Sequence, residues 1–155
     1  MTAIAAAAVA VIATQVLVAQ SPMKPTVPGA SGDPVWQGIL RLADGRTFVT
    51  DGGLALDAAV AKPVTLPARE VASKVLEDYF KATHKDECGL SDLRAAASGK
   101  TYSTPNGIAL NATYVDYLRR ILPRESVRLR MTGPLQPVVI VASGEIVGVL
   151  MPVKQ

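Results

Sequence analysis

The chain has 155 residues, of which 49% are hydrophobic and 19% charged, and its formal net charge is +3 at pH 7. This length suits one ordinary domain, and the apolar content is sufficient for a buried core, which excludes a globally disordered chain. Cys88 is the only cysteine and His84 the only histidine. An intrachain disulfide framework, a zinc site built from several thiolates and most histidine-based triads are thereby excluded. The positive excess lies in residues 101–155, which carry six Lys or Arg and three Asp or Glu.

Residues 3–19 form an uncharged run of mainly Ala, Val, Ile and Leu. Three interpretations of residues 1–20 are open: a helix buried on nearly every side, a signal peptide without the usual basic start, or a membrane anchor at the lower limit of spanning length. Four prolines and two glycines in residues 21–34 predict an extended linker after this segment.

Residues 35–62 are predicted to form a first set of strands. Asp44-Gly45 and the Asp51-Gly52-Gly53 segment supply turns between them. The predicted strands are Val35–Leu42, Arg46–Thr50 and Leu54–Val60.

Residues 67–100 are predicted to be an insert that carries a helix. Pro67 suits the first turn of a helix, and apolar side chains from Val71 to Phe80 recur at helical spacing. The stretch from Thr83 to Asn106 is polar, and a second short helix is predicted at Ser91–Ala97.

Residues 107–155 are predicted to form the second helix and strand set. Asn111 is a good N-cap for a helix over Ala112–Leu122, which Pro123 ends. The strands predicted around it are Ile108–Leu110, Val127–Met131, Gln136–Ala142 and Glu145–Met151. Because the two halves are similar, we expect a single α+β domain over 1–155, with one continuous sheet and the helices behind it.

Sequence motifs for catalysis are missing. Ser98-Gly99-Lys100-Thr101 resembles the end of a phosphate-binding loop, but Arg94 stands where the loop needs a glycine. His84 and Cys88 have metal-ligand spacing on a helix, yet two ligands do not close a zinc site. No nucleophile elbow and no convincing pair of carboxylates is present. We therefore expect neither an enzyme activity nor a cofactor or metal.

The C-terminal fifty residues carry the most specific pattern. It consists of a strand ending in Asn, a helix with Tyr three residues later, an alternating strand, a Pro-Val-x-Ile strand and a Met-Pro-hydrophobic tail. These features are Asn111, Tyr114, Val127–Met131, Pro137–Ile140 and Met151-Pro152-Val153. In order and spacing, Gly107 to Val153 resembles the last domain of the bacterial sliding clamp, the β subunit of the replicative DNA polymerase III.

The first half is similar to the same family over Val35 to Gly52, a strand, turn and strand that end in Thr50-Asp51-Gly52. In clamps an amphipathic helix precedes this stretch, at the place of residues 3–19. The resemblance therefore implies a DNA clamp fold, a helix in residues 1–20 and a cytoplasmic protein. An exported or membrane-anchored domain, with residues 1–20 as its signal, remains the alternative.

The resemblance implies a processivity factor of DNA replication or repair that makes and breaks no bonds. A clamp encircles double-stranded DNA and tethers a polymerase, aided by cations near phosphates and without base readout. The resemblance implies phosphate contacts for Arg119, Arg120 and Arg124. The equal alternative is that these cations end a solvated helix, where they suit the helix dipole.

Clamp partners insert a short peptide into an apolar pocket between the terminal Met-Pro-hydrophobic strand and the Thr-Asp-Gly region of a neighbouring domain. The matching residues here are Val149, Met151, Pro152, Val153, Thr50 and Leu54. In the alternative interpretation Val149 and Met151 are simply core. Because both halves of the pocket occur in one chain, we expect a homo-oligomer to build it across each subunit boundary. The competing function is a clamp-fold module that binds a protein partner without encircling DNA.

Overall fold

The computed structural model describes residues 33–63, 66–67, 69–72 and 74–154. The run at 3–19, with its three open interpretations, lies outside these residues, as does most of the expected linker. Among the described residues the strands are β1 (Gly38–Arg41), β2 (Thr47–Thr50), β3 (Leu54–Asp57), β4 (Glu70–Ala72), β5 (Asp86–Gly89), β6 (Arg94–Ala95), β7 (Thr101–Ser103), β8 (Ala109–Asn111), β9 (Val127–Met131), β10 (Val138–Ala142) and β11 (Glu145–Leu150). The α-helices are α1 (Ala58–Ala61), α2 (Lys74–Lys81) and α3 (Ala112–Ile121).

Eight strands form one sheet in the order β4-β1-β2-β3-β11-β10-β9-β5, and β6-β7-β8 form a smaller one. Neighbours in the large sheet are antiparallel, except β1 and β4, which are parallel. Strands β1 to β3 make one meander, and β9 to β11 make another. The fold is therefore mixed α+β with a continuous sheet across both halves, in agreement with the predicted class.

Strands β3 and β11 join the two meanders in the middle of the sheet. Leu54 lies opposite Leu150, Ala55 opposite Val149 and Leu56 opposite Gly148. A Cβ at Gly148 would lie 2.3 Å from the carbonyl oxygen of Ala55, so only glycine fits at this position unless the backbone shifts. The junction between the halves thus depends on close backbone approach.

Side chains alternate between two apolar cores on opposite faces of the sheet. Leu54, Ile140 and Leu150 belong to the core that contains residues of α3, which we call the α3 face. Ala55 and Val149 belong to the core that contains residues of α2, which we call the α2 face. The expectation that the helices share one side is therefore wrong for these two helices, because each covers a different face.

The helices differ in how well the sequence predicts their starts. Helix α3 begins where expected, and the Asn111 side chain accepts a hydrogen bond from the Thr113 N–H at 2.8 Å. Helix α2 begins at Lys74 rather than at Pro67, because β4 occupies 70–72 beside β1. None of the described helices is long and apolar enough to cross a membrane.

Residues 67–100 contain more than the expected helical insert. Strand β5 lies in the polar stretch and pairs with β9 at the edge of the large sheet. The predicted helix at Ser91–Ala97 is replaced by a 3₁₀ turn at Leu90–Asp92 and by β6. The predicted strand Leu54–Val60 ends at Asp57, whose side chain accepts a hydrogen bond from the Ala59 N–H and caps α1.

Candidate functional site

A buried carboxylate organises the turn between β2 and β3. Asp51 has no exposed surface, and its Oδ1 accepts hydrogen bonds from the Gly53 and Leu54 N–H groups, each at 2.9 Å. Its Oδ2 accepts the hydroxyl proton of Tyr114 at 2.6 Å. Asp is common in such turns because its short side chain can hold the backbone two residues on. The bond to Tyr114 adds a link from the first half to the first turn of α3.

Burial determines the protonation behaviour of this pair. Burial raises the pKa of the Asp51 carboxyl, while its hydrogen bonds from Tyr114, Gly53 and Leu54 act in the opposite direction. Burial, followed by the bond to Asp51, raises the pKa of the Tyr114 phenol, so the phenol keeps its proton. All donors to Asp51 in this network are uncharged. The network therefore fixes the conformation of the β2–β3 turn and its position against α3.

Gly53 lets the turn and the tyrosine approach each other. A Cβ at Gly53 would lie 2.9 Å from the Tyr114 Oη and 3.1 Å from its Cε2. A side chain at this position would therefore push the ring away from Asp51. The sequence indicates a turn at residues 51–53, but the partner of Asp51 lies 63 residues away and has no local signal.

The C-terminal tail, which we define as residues 151–153, lies directly beside this turn. The Met151 N–H donates to the Gly53 carbonyl at 2.9 Å, and the Val153 N–H donates to the Ala109 carbonyl of β8 at 2.8 Å. The tail thus passes from the β2–β3 turn to the edge of the small sheet. The Thr-Asp-Gly segment and the Met-Pro-Val tail meet within one chain, whereas the expectation from the sequence is that they meet across a subunit boundary.

The six residues predicted for the peptide pocket fall into two groups. Three of them are interior, with Thr50 and Leu54 0% and Val149 1% exposed. The three tail residues are half-buried and reachable from solvent, and Met151 packs against the core on the α2 face. Of the predicted pocket residues, the tail residues are therefore the ones that a ligand could touch, while Leu54 and Val149 belong to cores on opposite faces of the sheet.

The three predicted DNA-binding arginines have different surroundings. Arg119 donates to the Leu90 carbonyl at 2.8 Å, and its guanidinium lies 4.6 Å from the centre of the Tyr102 ring. Arg120 is exposed and forms an ion pair with Asp33 at 3.1 Å. Arg124 is exposed in the 3₁₀ turn after α3 and forms no ion pair with any described residue. Of these three arginines, Arg120 and Arg124 are therefore the ones more available to a polyanion.

Two polar clefts lie away from the tail. One, of about 500 Å³, is bordered by the 3₁₀ turn at Leu90–Asp92 and by β6 and β7. The other, of about 320 Å³, is lined by His84, Glu87 and Arg130, among others. In the described part of the chain no three His, Cys, Asp or Glu side chains group closely enough to hold a metal ion. Cys88 is buried, and burial raises the pKa of its thiol to about 11, which makes the thiolate scarce at neutral pH.

No protein-family model, no curated protein and no solved structure matches this chain.

Proposed function

We propose that this chain is a sliding-clamp-like protein that self-associates, holds double-stranded DNA without reading its sequence and binds partner peptides at the C-terminal tail. Partners of this kind include replicative and repair polymerases. The observation that supports the proposal most is that the two motif segments are in contact, although the contact lies within one chain and not across the subunit boundary that the sequence predicts. The Met151 N–H reaches the Gly53 carbonyl at 2.9 Å, although 98 residues separate them in sequence.

The shape of the large sheet supports self-association. β4 and β5 are its edge strands, and an edge strand offers unpaired backbone groups to another chain. Pairing through these edges would leave the junction of β3 and β11 untouched, because the junction lies at the centre of the sheet. A closed ring could therefore form while the tail stays available to a partner.

The cations of the α3 end support a sequence-independent contact with phosphate. Arg120 and Arg124 are exposed and close in sequence, so both can approach one DNA backbone. A clamp needs no catalytic group, and the buried Asp51 and Tyr114 are occupied with each other.

A module that binds a protein partner without encircling DNA is the second candidate. It is favoured by the inward contact of Arg119 with the Leu90 carbonyl and by the ion pair of Arg120 with Asp33. Both contacts lower the number of cations that are free to meet phosphate. In this case the tail would function as proposed, but the chain would not stay on DNA.

The first test is native mass spectrometry of the full-length chain, together with retention on circular duplex DNA. Six copies would match the six-domain rings of the clamp family, and release on linearising the DNA would indicate encirclement. A monomer with no DNA retention would overturn the clamp proposal and leave the protein-binding module.

A charge series separates phosphate contact from general electrostatics. For Arg120→Gln with Arg124→Gln, the slope of log affinity against log salt should fall by about one per arginine. The matched control is Arg128→Gln with Arg130→Gln, which removes two charges from the α2 face, where the two guanidinium groups pair with Glu87 at 2.7 and 3.7 Å. An equal change of this slope in the test and control variants would contradict phosphate contact by Arg120 and Arg124 at the C-terminal end of α3.

Substitution in the tail tests the peptide site. Met151→Asp places a charge on the half-buried surface and should abolish binding of a labelled synthetic peptide with adjacent Leu and Phe side chains, measured by fluorescence anisotropy. The control is Leu135→Asp, at an apolar side chain that is 60% exposed in another loop. Loss of binding in the control alone would refute the tail as the site.

A further inference from the structure

A chain of hydrogen bonds leads from helix α3 to the C-terminal tail. The Tyr114 hydroxyl donates to Asp51 at 2.6 Å, and the same carboxylate holds the Gly53 N–H at 2.9 Å. The carbonyl of Gly53 then accepts the Met151 N–H at 2.9 Å. Gly53 therefore joins the two contacts directly, because its N–H is bonded to the carboxylate and its carbonyl is bonded to the tail.

The second attachment of the tail leads back to the same helix. Val153 donates to the Ala109 carbonyl, and Ala109 lies in β8, which ends in the N-cap of α3, Asn111. Both tail contacts thus depend on where the first turn of α3 lies. Tyr114 is the side chain of that turn that reaches across to the other half of the molecule.

We propose that Tyr114 is a positioning residue, whose hydroxyl, through Asp51 and the β2–β3 turn, holds the C-terminal tail in the shape that a partner peptide meets. The functional meaning of this inference rests on the proposed peptide-binding role of the tail. The positioning itself rests on the hydrogen bonds and on the close approach of Gly53 to the tyrosine ring.

The burial of Asp51 explains why the single hydroxyl of Tyr114 should affect both the turn and the tail. Asp51 is fully buried, so an oxygen that loses its donor cannot turn to water. Hydrogen bonds to an ionised acceptor are shorter and stronger than neutral ones. Removing the hydroxyl should therefore let the carboxylate shift and loosen the turn that it holds.

The test is amide hydrogen exchange of the full-length protein, followed by NMR, in Tyr114→Phe and in the control Tyr117→Phe. Tyr117 lies on the same helix and is buried, but its ring packs edge-on against Trp36 and takes no part in the Asp51 network. We expect exchange at the Met151 and Val153 amides to rise about tenfold in Tyr114→Phe, beyond any change at Ile140 in the centre of β10.

A merely structural role predicts something else. If the tyrosine only stabilises the whole fold, exchange at Met151, Val153 and Ile140 will rise by the same factor, and the inference is overturned. No change at the tail amides also overturns it. The control variant should leave the ratio of tail exchange to Ile140 exchange as it is in the wild type.

A second pair of variants, Asp51→Asn alone and Asp51→Asn with Tyr114→Phe, tests the same network without a buried ionised carboxylate. The amide oxygen can still accept the Gly53 and Leu54 N–H groups, and the amide nitrogen can donate to the Tyr114 oxygen. The tail should therefore stay protected in Asp51→Asn and lose protection in the double variant with Tyr114→Phe, where the amide nitrogen has no partner. Equal protection in both would refute the positioning role.

Peptide binding separates this inference from the proposed function. If the wild type binds the labelled Leu-Phe peptide and Tyr114→Phe binds it about tenfold more weakly, both stand. If the wild type binds no such peptide, the proposed peptide site fails, while the exchange ratio still decides whether Tyr114 positions the tail. If binding is equal in the two proteins, the functional part of the inference is wrong.

Discussion

The two faces of the large sheet each carry a helix whose tyrosine reaches another part of the chain, but the acceptors differ. On the α3 face Tyr114 donates to the carboxylate of Asp51, which also holds two backbone N–H groups. On the α2 face Tyr79 donates to the backbone carbonyl of Pro137. The first bond belongs to a network that shapes a turn and a tail, whereas the second joins a helix to one strand end. A buried polar contact therefore matters most where its acceptor organises other groups.

The packing around the two tyrosines follows the same division. Tyr114 closes against Gly53, where no side chain fits. Tyr79 has the His84 ring edge-on at 5.7 Å, and the neighbouring Phe80 ring lies 5.4 Å from Phe48. Aromatic side chains can adjust on the α2 face, while backbone limits adjustment on the α3 face. A substitution of the same chemical kind should therefore lower the free energy of unfolding more beside Tyr114 than beside Tyr79.

The largest loss of stability is expected where β3 pairs with β11, because side chains from this pair of strands reach both faces of the sheet. Gly148→Ala places a Cβ 2.3 Å from the Ala55 carbonyl, so β3 and β11 must separate. We expect a loss of about 3 kcal/mol in the free energy of unfolding, measured by urea denaturation. The control Gly133→Ala meets its nearest atom at an ordinary 3.7 Å and should change stability by less than about 0.5 kcal/mol. Similar losses in both variants would contradict the close approach at the junction.

The next effect compares the tyrosines directly. Tyr114→Phe removes a donor from a buried carboxylate and should cost about 2 kcal/mol of unfolding free energy. Tyr79→Phe removes a neutral bond to the Pro137 carbonyl and should cost about 1 kcal/mol. Urea denaturation of both variants at pH 7 measures the difference. A larger loss for Tyr79→Phe would reverse the comparison of the two faces.

A smaller effect concerns the fit between Gly53 and the ring. Gly53→Ala should cost about 1–2 kcal/mol, because its Cβ would lie 2.9 Å from the Tyr114 Oη. In the double variant with Tyr114→Phe that oxygen is gone, so the summed cost should be less than additive. Strict additivity in a double-mutant cycle would mean that the two residues do not meet.

The local parts of this fold were predictable from sequence, and the links between them were not. The alternation of Val127–Met131 and the Asn111 cap depend on neighbouring residues, and the strand and the helix start are confirmed. The sequence does not predict strand β5, because Asp86 and Glu87 are exposed at a sheet edge and give no alternating apolar pattern. The strand forms because its backbone pairs with β9, a contact that the local sequence does not indicate.

The candidate site shows the same limit. Arg119 is expected from the sequence to be a phosphate contact or a cation at a solvated helix end, yet the side chain contacts the Leu90 carbonyl and the Tyr102 ring. The bond from Tyr114 to Asp51 joins residues 63 apart. Such contacts depend on how the halves pack, and no periodicity within either half encodes them. The peptide pocket and the DNA contacts remain predictions.

The smallest expected effect is a dependence on pH that also belongs to the α3 face. Burial raises the pKa of Asp51 above its ordinary value of 3.8, so the folded protein binds more protons than the unfolded chain between these two pKa values. The contribution of Asp51 to stability is therefore fully present below about pH 3.8 and is lost as the pH rises through the folded pKa.

Asp51→Asn has no carboxyl to titrate, so its unfolding free energy minus that of the wild type should increase with pH across this window. The surface pairs act in the opposite direction, because Arg41 lowers the pKa of Glu70 and Arg128 lowers that of Glu87. Both proteins contain these pairs, so their effects cancel in the difference. Urea denaturation of the two proteins from pH 3 to pH 7 measures it. A flat or falling difference would mean that the hydrogen bonds to Asp51 outweigh the cost of its burial.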